Sequence, residues 1–500
     1  MKPASFATAG IPLRAVLAND LGGNCPPDLR VTSCTSDWRQ VQPGDVFVAI
    51  VGTEEDGHNY ADEALARGAA AVVCERPLPV FKVPQFVVED SRVAYGRLCQ
   101  ALVGDPSRQM KVIGVTGTHG KTTVTRLLAA VLRENGARVG TLDSFGYWDG
   151  IEDHPPAGKE MSPPVLARSL AEMVASGVTH AVVEVSSQDL AQQTFAGVSL
   201  DAACITHIGK HHIDWHGTVE NYREAKRRIL DLLSDQSVVV LNADDPESVK
   251  ILDILEQPVL TFGMKGASEI SAQVIEQHVN EQLFLVSAGD DSIGMRTEIV
   301  GDHHIYNCLA AATVGLAFGA ELTTIARGLE SVDRLPGRME RVMCGQGFAV
   351  LVDSADSPEA LRNCLRAARR TTTGRVICVF GAADNDSANE LPAIGRVIGA
   401  MADAAAITNG HIAATGSHRS CLEVRSGFAD LSKVHVILDR QEAIQWALCE
   451  AQEGDTVVIA GMGEEPHTPL GSAGVLVNDS DLVRAALHAI PTPVPHRLAA

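Results

Sequence analysis

Residues 112–124 read VIGVTGTHGKTTV, an apolar β-branched run that ends in glycines at 114, 117 and 120 and closes on a lysine and two threonines. Such a loop turns tightly enough for its backbone N–H groups to face inward. The pattern TVTRLLAAVLREN that follows is helical, so the N–H groups and dipole of a helix N-terminus would meet the same point. Phosphate is the chemistry this arrangement serves. Gly117, Thr118, His119, Gly120, Lys121, Thr122 and Thr123 form the candidate cradle, with Lys121 placed to neutralise β- and γ-phosphates and the Thr122 hydroxyl placed to ligate an accompanying Mg²⁺. The strict phosphate-loop pattern wants glycine where Val115 stands. The strand–loop–helix context nevertheless argues against a glycine-rich turn with an incidental lysine.

A loop of this kind needs a parallel sheet behind it. From residue 112 onward, the β-runs VIGVTG, HAVVEVSS, AACITHIG and SVVVLNADD alternate with helical patterns such as PPVLARSLAEMVASG and NYREAKRRILDLL, as in βαβ winding. Next comes a segment rich in β-branched and apolar residues, ISAQVIEQ, QLFLVSAG and TEIVG, then the helix YNCLAAATVGLAFG and a Leu335-Pro336-Gly337-Arg338 break suited to a hinge. Ahead of the loop, DVFVAIVG and AAVVCE flank the helical YADEALARG in a smaller α/β unit. Beyond the break, FAVLVDSA, VICVFGAA, AAAITNG, VHVILD and TVVIAGMG give five strands of a Rossmann-like unit. The chain is therefore expected to be α/β in three domains: 1–105, 106–335 with the phosphate loop, and 336–500.

Composition narrows the setting. With 500 residues, 45 % apolar and 4 % aromatic content, alanine- and valine-rich packing in several cores is expected. A net charge of −21 argues against general nucleic-acid binding or adhesion to anionic lipid. Eleven cysteines without a Cys-x-x-Cys pair suit a reducing compartment, and MKPASFATAGIPLR lacks the apolar stretch of a signal peptide. A cytoplasmic monomer without membrane insertion is the expectation. The tail IPTPVPHRLAA reads as disordered.

Taken together, these stretches resemble the Mur ligase family, and within it the tripeptide-synthetase branch. DWRQVQPGDVFVAIVGTEEDGHNYADEALARGAAAVV is similar to the family's uridine-nucleotide module, with Arg39 and Asp56-Gly57-His58 in step. TGTHGKTT, VEVSSQDL, HHIDWHGTVENYREAKRRIL, LNADDP, GDHHIYNCLAA and LPGRMERV then fall in family order. The resemblance implies three domains: a uridine-nucleotide module, a central ATPase and a closing Rossmann-like domain. It also implies a reaction in which the carboxylate of a UDP-muramoyl peptide attacks the γ-phosphate of ATP, and an amino acid's amine displaces phosphate from the acyl phosphate.

The same resemblance assigns roles. Lys121 and Thr122 would serve the phosphates and one Mg²⁺; Glu184, His212 and Lys226 would serve the metal, Lys226 as a carbamate. Asn307, Arg338 and Asp353 would contact nucleotide, with hinge closure bringing Asp353 to the ATP, and Arg39, Ser162 and Ser186 would contact the muramoyl substrate. Read singly, Glu184 could cap a helix, the His-rich loop could be solvated and Lys226 could lie on an exposed helical face.

Departures from the family pattern cluster where catalysis and substrate choice are expected. Trp38 replaces serine; His207 and His211 replace Asn and Asp; Gln188 replaces His and Thr194 replaces Arg; Met161-Ser162 replaces a Thr-Thr pair. In the third domain, Asp353-Ser354-Ala355-Asp356-Ser357-Pro358 keeps the nucleotide-side Asp and loses a His. The run GAADNDSANEL ends on Glu390-Leu391 where a Lys-Arg pair is usual, Gly410-His411-Ile412-Ala413 replaces Asp-Asn-Pro-Arg, and Gly461-Met462-Gly463-Glu464-Glu465 replaces Gly-Lys-Gly-His-Glu. An Arg that grips a carboxylate bidentately has no substitute in Ala, so neither diaminopimelate nor lysine is assigned. The alternative function is a degenerate paralogue that binds nucleotide without ligating.

Overall fold

The computed structural model describes residues 10–17, 29–52, 55–79, 83–156, 161–278, 280–382, 390–410, 417–465 and 476–489. The start and tail, the variable part of GAADNDSANEL and His411-Ile412-Ala413 lie outside these. Two compact units divide the chain. One takes the described residues up to Lys210 with His216–Phe262 and Ala310–Ile325; the other takes His211–Trp215, Gly263–Leu309 and the described residues from Ala326 onward.

The first unit contains a two-stranded antiparallel ribbon, Ile11–Pro12 with Arg30–Val31, and strands of two larger sheets. Cys34–Thr35, Val46–Val48, Ala71–Cys74 and Gln85–Val87 pair in sequence order, all parallel. Every residue of the two middle strands is buried, as expected for β-branched runs covered on both faces. Helix Ser91–Leu102 begins where the Asp90 carboxylate accepts from the N–H groups of Arg92 and Val93 at 2.8 and 3.1 Å.

In the larger sheet, Lys111–Thr116 lies between His180–Glu184 and Leu200–Ile205, parallel to both. Val139–Asp143 extends it beyond the first neighbour, Leu233–Asn242 and Val259–Gly263 beyond the second. From Lys111–Thr116 the chain first winds outward to Val139–Asp143 and later, after His180–Glu184, crosses to the other side. The carboxyl end of the central strand is thus a topological switch point, where ligands of α/β sheets bind.

The reading of NYREAKRRILDLL as one helix needs correction. The α-helix is Val219–Arg227, and Arg228–Leu232 tightens into a 3₁₀ turn. Its three-residue period puts Ile229 and Leu232 on one face, against the same apolar cluster under the sheet.

The second unit has an antiparallel meander, Ile270–Gln277, Gln282–Ala288 and Asp291–Thr297. Its third strand is DSIGMRT, which shares only Thr297 with the apolar run TEIVG. Its alternating exposed and buried positions are those of a one-sided strand, and Gly294 and Arg296 dilute the apolar signal. A six-stranded sheet follows, ordered Glu340–Arg341, Ala349–Asp353, Thr456–Ala460, Val376–Ala382, Ala404–Asn409 and Val434–Val436, parallel except at its first edge. All five expected strands of this part are present. The Pro-Gly break is a packed turn within this unit: Arg338 N–H reaches Leu335 O at 3.1 Å, and Gly337 O accepts from Ser354 N–H at 2.9 Å. No helix among the described residues is long and apolar enough to cross a membrane.

Candidate nucleotide site

Strand Lys111–Thr116, buried beyond its first residue, delivers the loop, and helix Lys121–Glu134 starts immediately after Gly120. Gly117 is required by space as well as conformation. Its φ is +152°, and a Cβ there would stand 1.9 Å from Thr206 Oγ1. The neighbouring strand end clamps the loop: Thr118 N–H donates to His207 O at 2.6 Å and the Thr206 hydroxyl donates to His119 O at 2.6 Å. Thr118 Oγ1 also accepts from Gly209 N–H at 2.7 Å and pairs with the Tyr222 hydroxyl at 2.8 Å. Asn242 holds Thr206 O at 3.0 Å, so the LNADDP turn supports this clamp.

The first helical turn carries the chemistry. The Thr122 hydroxyl donates to Glu184 Oε2 at 2.8 Å, and Lys121 Nζ lies 3.8 Å from Glu184 Oε1. Ser144 N–H also approaches that carboxylate, at 3.3 Å. Glu184 is therefore no helix cap; it ends strand His180–Glu184 and faces the loop. Thr122 and Glu184 supply the oxygen ligands that Mg²⁺ prefers. Among the described residues no three His, Cys, Asp or Glu side chains form a metal cage. Beside this centre Arg126 and Asp143 form an ion pair, with Arg126 Nη2 3.0 Å from Asp143 Oδ1.

Lys226 lies on helix Val219–Arg227, whose start is capped by the Thr218 hydroxyl. It is not on an exposed face: the residue is 1 % exposed and donates from Nζ to Gly117 O at 2.7 Å, above the Tyr222 ring. Burial, and then the charge of Lys121, push its pKa well below that of an ordinary lysine, with Glu184 and Asp189 opposing. As an amine Lys226 does not fit a magnesium site; as a carbamate it would offer oxygens.

Ser186 serves locally, in a capping box with Asp189: its hydroxyl accepts from Asp189 N–H at 3.0 Å, and Asp189 Oδ2 accepts from Ser186 N–H at 3.1 Å. Burial raises the Asp189 pKa against these bonds. Ser162 precedes helix Pro163–Ala175 without a capping bond from its side chain. Arg39 sits exposed in a 3₁₀ turn, paired with Asp37 at 2.9 Å, while Trp38 stacks on Tyr60 with ring centroids 5.5 Å apart. His58 Nε2 accepts from Glu75 N–H at 2.9 Å, so its proton is on Nδ1, which faces Asp56 Oδ1 at 2.6 Å. His207 pairs with Asp245 at 3.1 Å. Burial would raise the Asp245 pKa, and hydrogen bonds from His207 and Ser248 bring it below the usual range.

The second unit holds the remaining expected residues. His212 has φ +50° and stacks edge-on against His211 at 3.9 Å, and His211 faces Asp356 at 3.6 Å. Asp353 accepts from the N–H groups of Met339 and Ala355 at 2.7 and 2.9 Å; burial raises its pKa, with His303 and Arg338 opposing. Arg338 donates to the Ser354 hydroxyl, and Asn307 lies half-buried on helix Asp302–Ala317. The sequence reading missed Ser144, Tyr222 and Arg126–Asp143. Tyr222, four residues before Lys226, was open to helical spacing.

Three family models match successive parts of the chain: "Mur ligase family, catalytic domain" over residues 30–101, "Mur ligase middle domain" over 115–315, and "Mur ligase, glutamate ligase domain" over 337–463. A UDP-N-acetylmuramoyl-L-alanyl-D-glutamate--2,6-diaminopimelate ligase of Geobacillus kaustophilus is 36 % identical over 473 residues, 93 % of this chain and 96 % of that one. A UDP-N-acetylmuramyl-tripeptide synthetase of a Roseiflexus species is 33 % identical over 485 residues, covering 92 % and 95 %. A solved UDP-N-acetylmuramoyl-L-alanyl-D-glutamate--2,6-diaminopimelate ligase superposes with a TM-score of 0.68 at 26 % identity, covering 96 % of this chain and 99 % of that one.

Proposed function

Since the chain belongs to the Mur ligase family, we propose that it joins an amino acid to a UDP-muramoyl peptide at the expense of ATP, in the making of peptidoglycan precursor. The observation that carries this is the constellation of Lys121, Thr122 and Glu184 around the phosphate loop, with Lys226 buried behind Gly117. Lys121 neutralises phosphate charge as the substrate carboxylate attacks, and the loop N–H groups hold the transferring group in place. Thr122 and Glu184 would hold Mg²⁺, which spreads the charge of the phosphates when bound. Lys226 is the carbamylation site: its Nζ is sequestered from water and burial favours the neutral amine that reacts with CO₂.

The incoming amino acid is not diaminopimelate in this reading. Glu390 lies near His211, Asp214 and Asp356, where burial raises its pKa against the pull of His211. An acidic neighbourhood opposes the second carboxylate of diaminopimelate. Losing a cationic partner for a buried carboxylate costs about 3–5 kcal/mol, or about a few hundredfold or more in kcat/KM. The deciding experiment is phosphate release from ATP with UDP-muramoyl dipeptide and a panel of the twenty protein amino acids plus diaminopimelate. One amino acid should stimulate release. Stimulation by none would leave the degenerate paralogue, and a kcat/KM for diaminopimelate equal to that of a motif-complete ligase would overturn the specificity.

A further inference from the structure

In the first unit the fold brings two thiols into contact. Cys34 lies in the strand Cys34–Thr35, which forms one edge of the four-stranded parallel sheet and is the shortest strand in it. Its Sγ stands 3.9 Å from Sγ of Cys99, on helix Ser91–Leu102, although the two residues are 65 apart in sequence. That separation is van der Waals contact, so no atom stands between the sulfurs. Closing it by about 1.9 Å gives the length of an S–S bond. Cys99 is 5 % exposed, whereas Cys34 is half-buried and packs against the apolar cluster that contains Cys99.

The contact is held in register by a second one. Tyr95, one helical turn before Cys99, is hydrogen-bonded by Ser36, two residues beyond Cys34. Two residues of extended chain advance about 6.6 Å and four residues of helix about 6 Å, so the pairs 34–99 and 36–95 are satisfied together. From this edge strand the chain runs directly into the Asp37 cap and the Trp38–Gln40 turn that carries Arg39. An edge strand is paired on one side only, and this one is two residues long. A bond between the sulfurs would fasten it to the helix behind.

We propose that Cys34 and Cys99 are a redox-modification site, which a low-molecular-weight disulfide closes to a protein disulfide that staples the edge strand ahead of the Arg39 turn to helix Ser91–Leu102. The half-buried Cys34 reacts first. Its thiolate attacks one sulfur of the oxidant, a mixed disulfide forms, and the other half leaves as a thiolate that takes up the proton Cys34 gave away. Cys99 then attacks Cys34 Sγ: the protein S–S bond forms, the mixed disulfide breaks, and the second small thiol leaves with the Cys99 proton. Two protein thiols are oxidised and one small disulfide is reduced to two thiols. The Cys34 contact, and then burial, hold the Cys99 thiol well above the usual thiol range. The first step removes the larger of these causes, which fixes the order of events.

Oxidised glutathione on the full chain tests this, followed by alkylation, digestion and mass spectrometry. In wild type the Cys34 and Cys99 thiols should be lost together, a Cys34–Cys99 cross-linked peptide should appear, and dithiothreitol should restore both thiols. In Cys99→Ala, shown to be folded by thermal melting, Cys34 should stop at the glutathione adduct. The exposed Cys449 reports that the oxidant is active. If Cys449 takes up glutathione while folded wild type keeps both thiols, carries a Cys34 adduct with Cys99 still reduced, or links Cys34 to another cysteine, the site falls. Should Cys99→Ala not fold, the wild-type peptide decides alone.

Discussion

Among the described residues each unit buries one strong cation at the carboxyl edge of a parallel sheet, and the two are handled in opposite ways. Arg440 is matched by the carboxylate of Asp479. Lys226 has a backbone carbonyl, Gly117 O, as its hydrogen-bond acceptor, and burial drives it toward the neutral amine. A guanidinium does not lose its proton in a protein, so burying one demands an anion; an amine can shed its charge instead. The arginine is therefore a fixed element of the packing, and the lysine is a group that, in the proposed carbamate, would be converted from a base into a ligand.

The contrast is most exposed to test at Asp479. Asp479→Ala strands a buried guanidinium and should cost about 3–5 kcal/mol of stability. Denaturant unfolding with the melting baseline of wild type would show it, and the double variant Arg440→Met/Asp479→Leu should recover most of the loss. A single variant as stable as wild type would mean that Arg440 is hydrated rather than paired.

Lys226 should respond the other way. Lys226→Met, similar in volume and apolar, should change stability by less than about 1.5 kcal/mol, while Lys226→Ala should lose about a hundredfold or more in kcat, near 2.7 kcal/mol. Short carboxylic acids added to Lys226→Ala should restore turnover, and wild-type activity at low pH should depend on dissolved bicarbonate. Full activity in Lys226→Ala would remove the residue from the site.

Lys121→Ala should weaken MgATP by ~2–3 kcal/mol, measured by calorimetry, as a charged hydrogen bond is lost in a site half shielded from water. The smallest effect belongs to a solvent-facing pair. Asp56 is held at a pKa of about 2, chiefly by the Arg76 guanidinium at 2.6 Å. Because the folded pKa lies below the unfolded one, its contribution is complete above about pH 4 and is lost as pH falls toward 2. Arg76 is half exposed, so screening leaves at most ~1 kcal/mol. Unfolding curves of Asp56→Asn against wild type from pH 6 to 2 should converge at the acid end; a constant gap would place the effect elsewhere.

What the sequence made legible follows from the range of each interaction. The phosphate loop is contiguous, so its glycine spacing, lysine and threonines state the local geometry outright. The buried strands of both parallel sheets are apolar runs of ordinary length and stand out for the same reason. DSIGMRT does not, because one face of it is wet and its glycine and arginine belong to that face. Arg440 and Asp479 are 39 residues apart, and nothing local in either segment announces the other. Lys226 looked like a surface residue from AKRRIL; only the tertiary fold, which carries Tyr222 and Gly117 to it, makes it buried.

The carboxylate of Glu184 has a consequence for how the protein tells one form of nucleotide from another. Lys121 and Thr122, the groups proposed to meet phosphate, are already engaged by that carboxylate. A bare polyanion arriving at the loop meets an internal competitor of its own sign, whereas a polyanion escorted by a divalent cation brings a bridge that turns the competitor into a coordination partner. In the proposed site, discrimination between chelated and free nucleotide would thereby be written into the resting state of the loop.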